Sequence, residues 1–227
     1  ASRAIADGNA LILGPLMRDD VAGVLAQARP AQIPLITFSN DAGVAARDVF
    51  VMGQVPEQSL ERTVDFAVTQ GARRFAALVP AGEYGVRATA ALRIAAERLG
   101  ASVVEVETYD RGNSSIVSAA NRLDTRGGFD TVLIADGARL AVLAANELKD
   151  AGEVLPSIIG PEIWSGETAL TTAGSMNGAW FSSVSDNRYR QFATSYENRF
   201  GAEPYRLATL GYDAVLLALR VARDQRL

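Results

Sequence analysis

The sequence predicts an α/β fold of two lobes, each a mostly parallel sheet flanked by helices. Short apolar runs alternate with segments of helical periodicity along the chain. Three of these runs begin about 28 residues apart, an interval that holds a strand, a helix and two short loops. The connections are therefore expected to be right-handed crossovers between parallel strands. A length of 227 residues exceeds the usual size of one domain, which favours two lobes.

Six apolar runs are predicted to be strands. They are residues 10–13, 33–38, 75–79, 102–109, 131–135 and 157–160. Most are apolar throughout, as is typical of parallel strands covered on both faces. The chain starts instead with a predicted helix, residues 2–7, that no strand precedes. Because a doubly wound lobe normally opens with a strand, we expect the first lobe to lack one or more N-terminal strands.

Helices are predicted between the strands, where apolar residues recur at spacings of three and four. Asp19 or Asp20 is expected to cap a helix that begins at Val21, and Ser114 or Ser115 to cap a later one. Two further helices are predicted near the C-terminus, at residues 189–199 and 207–222.

The absence of cysteine and histidine limits the chemistry available to the chain. It excludes thiol nucleophiles, Cys/His zinc sites, disulfides and the imidazole general base. No P-loop, dinucleotide fingerprint or nucleophile elbow occurs in the glycine-rich segments. We therefore predict a protein that is not an enzyme, with no catalytic residue, metal ion or cofactor.

Charge and hydropathy argue against two classes of partner. A net charge of -4 and a pI near 5.0 give no basic surface for nucleic acid or an anionic membrane. No apolar stretch approaches the roughly 20 residues that span a bilayer. Neither nucleic-acid binding nor a membrane span is predicted.

The loops that follow the predicted strands hold the candidate binding residues, because ligands of open parallel sheets bind at the carboxyl ends of the strands. These loops are residues 14–20, 39–43, 80–85, 136–137 and 161–164. The candidates are Arg18, Asp19, Ser39, Asn40, Asp41, Tyr84, Asp136, Glu162 and Trp164. An arginine, carboxylates and two aromatic residues suit a small polar ligand better than a reaction centre.

Each candidate also has a structural interpretation. Asp19, Ser39 and Asp136 have about even odds of being helix caps. Tyr84 and Trp164 are, on the general behaviour of aromatic residues, more often packing residues than ligand contacts.

Several segments, taken in order, resemble a known family. Residues 5–15, followed by 33–36 and Ser39, resemble the first lobe of the type I periplasmic solute-binding proteins, the leucine/isoleucine/valine-binding class. Tyr84-Gly85, Gly160-Pro161-Glu162 and residues 212–215 follow in the order that the class shows. The resemblance covers essentially the whole chain and implies the two-lobed fold of that class.

Within the class, the chain is most similar to the penicillin-binding protein activator branch of α-proteobacteria. The similarity rests on residues 39–41, 73–80, 178–181 and 207–215. That branch implies an exported lipoprotein that regulates peptidoglycan synthesis. The shared fold does not decide between this role and transport.

The resemblance also assigns roles to the candidates. The loops of Arg18-Asp19 and Ser39-Asn40-Asp41 match those that hold the α-carboxylate of an amino acid, although the first lacks hydroxyl groups here. Tyr84 matches an aromatic contact, and Glu162 matches the carboxylate that receives the ligand's ammonium group.

The resemblance implies a binding component of an ABC transporter for an amino acid or a similar small polar solute. Its lobes, residues 1–55 plus 185–227 and residues 56–184, would close on the ligand, and its partner would be a membrane permease. The alternative is a lipoprotein that activates penicillin-binding peptidoglycan synthases by protein contact. Both imply a periplasmic protein, and the second implies a lipid anchor upstream of Ala1.

Overall fold

A computed structural model describes residues 1–150, 155–184 and 186–224 of the chain. The chain divides into two compact units. The first unit comprises Ala1–Val55 and Val184–Leu227, and the second comprises Pro56–Ser183. Ser185, at the lobe boundary expected from the sequence, lies outside the described residues.

The first unit opens with a small parallel sheet of three strands in the order β1, β2, β3. The elements are α1 (Ser2–Ala6), β1 (Ile12–Leu13), α2 (Arg18–Ala28), β2 (Leu35–Thr37) and β3 (Val49–Val51). Leu35 and Val49 pack against Val21 and Leu25 of α2. The sequence analysis does not predict β3, because three residues give too short an apolar run to stand out from a loop.

The start of α2 corrects the predicted cap. The helix begins at Arg18 rather than Val21, Met17 occupies the N-cap position, and no side chain caps it. Asp19 and Asp20 lie in the first turn, where carboxylates interact favourably with the helix dipole. Neither is a capping residue.

The second unit contains a parallel sheet of five strands in the order β5, β4, β6, β7, β8. Its helices are α3 (Pro56–Thr69), α4 (Glu83–Arg98), α5 (Asn113–Arg126), α6 (Ala138–Asp150) and α7 (Thr168–Thr172). Its strands are β4 (Arg74–Pro80), β5 (Ser102–Tyr109), β6 (Thr131–Ile134), β7 (Ser157–Gly160) and β8 (Trp180–Phe181). Gly112 stands at the N-cap of α5, so the predicted serine cap is wrong.

Helices cover both faces of this sheet. Phe75, Ala77 and Val79 of β4 are buried with α3 and α4, whereas Ala76 and Leu78 are buried with α5 and α6. This alternation explains why β4 is apolar throughout. The α/β class and the parallel sheets flanked by helices are confirmed.

The strand order places a switch point between β4 and β6. The chain leaves β4 toward β5 on one side, then returns to β6 on the other. The two crossover helices consequently lie on opposite faces, an arrangement that in open parallel sheets makes the carboxyl ends of such a strand pair the usual place for a ligand.

Side-chain hydrogen bonds join the first helix of the second unit to the end of its last strand. Ser182, directly after β8, donates from its backbone N to Thr63 Oγ1 at 3.0 Å. The Ser182 hydroxyl donates to the Ser59 carbonyl oxygen at 2.7 Å. Both acceptors belong to α3.

The C-terminal part of the first unit consists of α8 (Asp186–Phe200) and α9 (Thr209–Asp224), close to the two helices predicted there. The rings of Phe192 and Tyr212 join them, with centroids 5.0 Å apart. Within the described ranges, no helix combines the length and apolar character needed to cross a membrane.

Candidate functional site

Asp136 lies at the switch point of the second unit, two residues after β6. Its Oδ2 accepts hydrogen bonds from the Tyr109 hydroxyl at 2.7 Å and from Arg111 Nε at 3.1 Å. Its Oδ1 accepts a bond from the backbone N of Gly137 at 2.7 Å. Asp136 is only 8% exposed. Three donors therefore satisfy this carboxylate.

Tyr109 and Arg111 are site residues that the sequence analysis does not identify. Tyr109 ends β5 and is buried, and Arg111 follows two residues later. The loops considered from the sequence follow five of the six predicted strands and omit the one after residues 102–109. The strand-end rule, applied to that loop as well, would have found Arg111.

Tyr84 stands in the first turn of α4, after β4, with its ring near Arg111. The guanidinium carbon of Arg111 lies 5.8 Å from the ring centroid, within the range of a cation–π contact. The buried Tyr84 hydroxyl has no hydrogen-bond partner within the described part of the chain. Burial raises the pKa of Tyr84, and the charges of Glu162 and Asp136 raise it further. This hydroxyl therefore stays protonated and can donate.

Glu162 follows β7 in a short 3-10 helix, Glu162–Trp164, and is 9% exposed. Its backbone N donates to Ser59 Oγ at 3.1 Å. Its Oε2 is buried without a partner among the described residues. Burial raises the pKa of Glu162.

Trp164 packs in the core of the second unit and contacts the loop that holds Asp136. It is 1% exposed and packs in the core between the sheet and α5 and α6. Its indole Nε1 donates to the Asp136 carbonyl oxygen at 2.7 Å, which fixes the loop after β6. The packing interpretation therefore describes Trp164 better than a direct ligand contact.

In the first unit, the structure brings Arg18, Ser39 and Asp41 together. Arg18 Nε lies 2.9 Å from Asp41 Oδ2, and Ser39 Oγ accepts a bond from the Asp41 backbone N at 3.1 Å. Asp41 caps the following 3-10 helix by accepting from the backbone N of Gly43. Asn40 is exposed, and Asp19 is exposed on α2 outside this group. The binding roles of these residues stay predictions.

Glu162→Gln should make the protein more stable at neutral pH. Folding raises the pKa of this carboxyl, so the folded state holds its proton more tightly than the unfolded state does. The contribution of Glu162 to stability is thus fully present below the ordinary pKa of 4.5 and is lost as pH rises through the folded value. Glutamine removes this dependence. Melting temperatures from pH 4 to 8 should show the variant's advantage growing with pH, whereas the exposed control Glu167→Gln should follow the wild type.

The chain is similar to proteins of known structure, although no curated protein sequence matches it. A putative branched-chain amino acid ABC transporter protein from Rhodospirillum rubrum superposes with a TM-score of 0.79 at 19% identity, over 94% of this chain and 64% of its own. A solute-binding protein from Rhodopseudomonas palustris, in complex with 3,4-dihydroxybenzoic acid, gives 0.74 at 18% identity, over 97% and 64%. LivJ from Streptococcus pneumoniae, in complex with isoleucine, gives 0.68 at 19% identity, over 96% and 65%.

These similarities establish the fold, and the chain spans less than two thirds of the length of each of the three proteins. The sequence profile of one family, described as periplasmic binding protein, matches residues 1–225. A match that extends from the first residue almost to the last covers both units. The chain therefore belongs to the periplasmic binding protein family.

Proposed function

We propose that the protein is a non-catalytic periplasmic ligand-binding protein, the substrate-binding component of an ABC-type transporter for an amino acid or a similar small polar solute. One observation carries this proposal. The Tyr84 hydroxyl and Glu162 Oε2 are buried at the carboxyl ends of β4 and β7, and neither has a hydrogen-bond partner among the residues that the structure describes. Leaving such a group unsatisfied costs about 1 to 3 kcal/mol. A polar ligand at these strand ends would supply the missing partners.

The position of these two atoms supports a binding site rather than a packing defect. Both belong to loops at the carboxyl edge of the sheet, next to the switch point. The third atom of this kind, Ser175 Oγ, precedes β8 and so belongs to the opposite edge. Arg111 links Tyr84 to Asp136: its guanidinium carbon lies 5.8 Å from the centroid of the Tyr84 ring, and its Nε lies 3.1 Å from Asp136 Oδ2.

The chemistry of the site suits an amino acid. Glu162 Oε2 would accept a hydrogen bond from a ligand ammonium group, the role that the family resemblance gives to this position. Tyr84 would donate to a ligand oxygen, and its ring offers an apolar face. The isoleucine in the LivJ complex supports a ligand of this kind.

The test is a thermal-shift screen against the twenty standard amino acids, 3,4-dihydroxybenzoate and small peptidoglycan fragments. A ligand at 100 times its Kd stabilises the native state by about 2.7 kcal/mol, which raises the melting temperature. Tyr84→Phe and Glu162→Gln should each weaken binding about tenfold, since each removes one hydrogen-bonding group. The exposed controls Tyr205→Phe and Glu167→Gln should bind as the wild type does.

A screen without any stabilising compound would contradict the transport proposal. It would favour the alternative, an activator of cell-wall synthases that acts by protein contact. Stabilisation that persists in both Tyr84→Phe and Glu162→Gln would show that the ligand binds elsewhere.

A further inference from the structure

We propose that Arg111 is the anion-binding residue of this site, and that it receives a carboxylate of the ligand together with the Tyr84 hydroxyl. This inference rests on the proposed function and adds the chemical class of ligand that the second unit selects. The contacts that hold Arg111 matter here, because an exposed arginine without fixed contacts would only add charge to the surface.

Among the described residues, Arg111 is held through one nitrogen. Its Nε lies 3.1 Å from Asp136 Oδ2, and Asp136 is itself fixed by Tyr109 and by the backbone of Gly137. No hydrogen bond joins the terminal Nη groups of Arg111 to other described residues. The side chain of Arg111 is 57% exposed, and its guanidinium group lies beside the Tyr84 ring. The contact through Nε orients the guanidinium and leaves its two Nη groups available to a ligand.

The available donors match a carboxylate. The two Nη groups form a planar fork that bonds the two oxygens of a carboxylate. The Tyr84 hydroxyl stays protonated because burial raises its pKa, so it adds a third donor, carried by the ring that lies beside the Arg111 guanidinium. A neutral amide would offer only one oxygen to these donors and would bring an NH₂ group against them.

Asp136 is a positioning residue in this arrangement. Its carboxylate is already satisfied by three donors, so it gains little by contacting a ligand. It neutralises part of the Arg111 charge and keeps Nε turned toward the sheet. The sequence analysis treats Asp136 as a ligand contact, whereas the geometry points to a role exerted through Arg111.

The first unit offers a weaker alternative for the carboxylate. The arginine there, Arg18, contacts Asp41 through Nε at 2.9 Å, and the Asp41 side chain is 16% exposed, against 11% for Asp136. The loop of Arg18 also lacks the hydroxyl groups expected from the family resemblance.

The experiment compares acids with their amides. Wild type, Arg111→Gln and Arg111→Lys are titrated with the twenty amino acids, the corresponding amino acid amides, benzoate and benzamide, by thermal shift and calorimetry. Arg139→Gln is the matched control, because Arg139 is an exposed arginine of the same unit that bonds Asn113. We expect acids to bind the wild type more tightly than amides. Arg111→Gln should weaken acid binding about tenfold to a hundredfold, Arg111→Lys should be intermediate, and Arg139→Gln should bind as the wild type does.

The outcomes separate this inference from the proposed function. Acid binding that is unchanged in Arg111→Gln, or amides that bind as tightly as acids, would overturn the anion site and leave the proposed function standing. A wild type that binds none of the compounds would overturn both. If ligand-free Arg111→Gln fails to melt cooperatively, Arg111→Lys carries the comparison. Loss confined to amino acids or to benzoate identifies which class of acid the site takes.

Discussion

Trp164→Ala is expected to lower the free energy of unfolding of the second unit by about 3 to 5 kcal/mol. Trp164 is among the largest fully buried side chains described, and alanine would leave a cavity between the sheet, α5 and α6. The bond from Nε1 to the Asp136 carbonyl oxygen would also be lost. Urea denaturation monitored by circular dichroism measures the change, since fluorescence would lose its main reporter.

Two variants separate cavity formation from the lost hydrogen bond. Trp164→Phe keeps an aromatic ring but leaves the Asp136 carbonyl without its donor, so a smaller loss of about 1 to 3 kcal/mol is expected. Trp180→Ala removes the same side chain from a half-buried position, where it packs edge-on against Phe66. If Trp164→Ala and Trp180→Ala lowered the free energy of unfolding by the same amount, the central position assigned to Trp164 would be contradicted.

Gly85→Ala should destabilise the second unit by about 1 to 3 kcal/mol or more. A Cβ at this position would lie 1.9 Å from the Pro80 carbonyl oxygen, a backbone atom at the end of β4 that cannot rotate away. Relief requires the first turn of α4 to move, and Tyr84 would move with it. Both the urea midpoint and ligand binding should therefore change, and the same samples serve for both measurements.

Gly23→Ala is the matched control for this substitution. Gly23 lies within α2, and no atom lies within 4 Å of a Cβ built there. Replacing a glycine by alanine in an open helix position should stabilise the protein by about 0.5 to 1 kcal/mol. If Gly85→Ala behaved like Gly23→Ala, the close approach of α4 to the end of β4 would be wrong.

Strand prediction from the sequence succeeds where burial on both faces leaves an uninterrupted apolar run. The predicted segment 75–79 lies within β4, whose residues from Phe75 to Pro80 are all buried. Segment 102–109 coincides with β5, a partly exposed strand in which Glu105 and Glu107 alternate with apolar residues. β3 and β8 are missed because each has only two or three residues and exists through pairing with a neighbour, as Ile159 pairs with Trp180. A strand of two or three residues that forms by pairing with a distant segment is too short to show a periodic pattern of apolar residues in the sequence.

The candidate site divides along a similar line. Tyr84, Asp136 and Glu162 could be predicted from the sequence because each follows a predicted strand. Ser59 could not be predicted, because it contacts Glu162 from α3, a helix that precedes the first strand of the unit. The buried position of Trp164 depends on Gly160, where a Cβ would lie 2.3 Å from the indole ring. That dependence is visible only once the loop is folded against the strand.

The hydrogen bonds of Ser182 to α3 have a consequence for how this protein can change over evolution. They place the entry and the exit of the second unit side by side within that unit. Both junctions also lie outside the two sheets, so no strand pairing is cut there. A segment with adjacent ends can be exchanged for its counterpart in another protein at a small cost in chain entropy. Recombination could thus transplant the Tyr84, Arg111 and Glu162 constellation as one module and alter ligand preference in a single event.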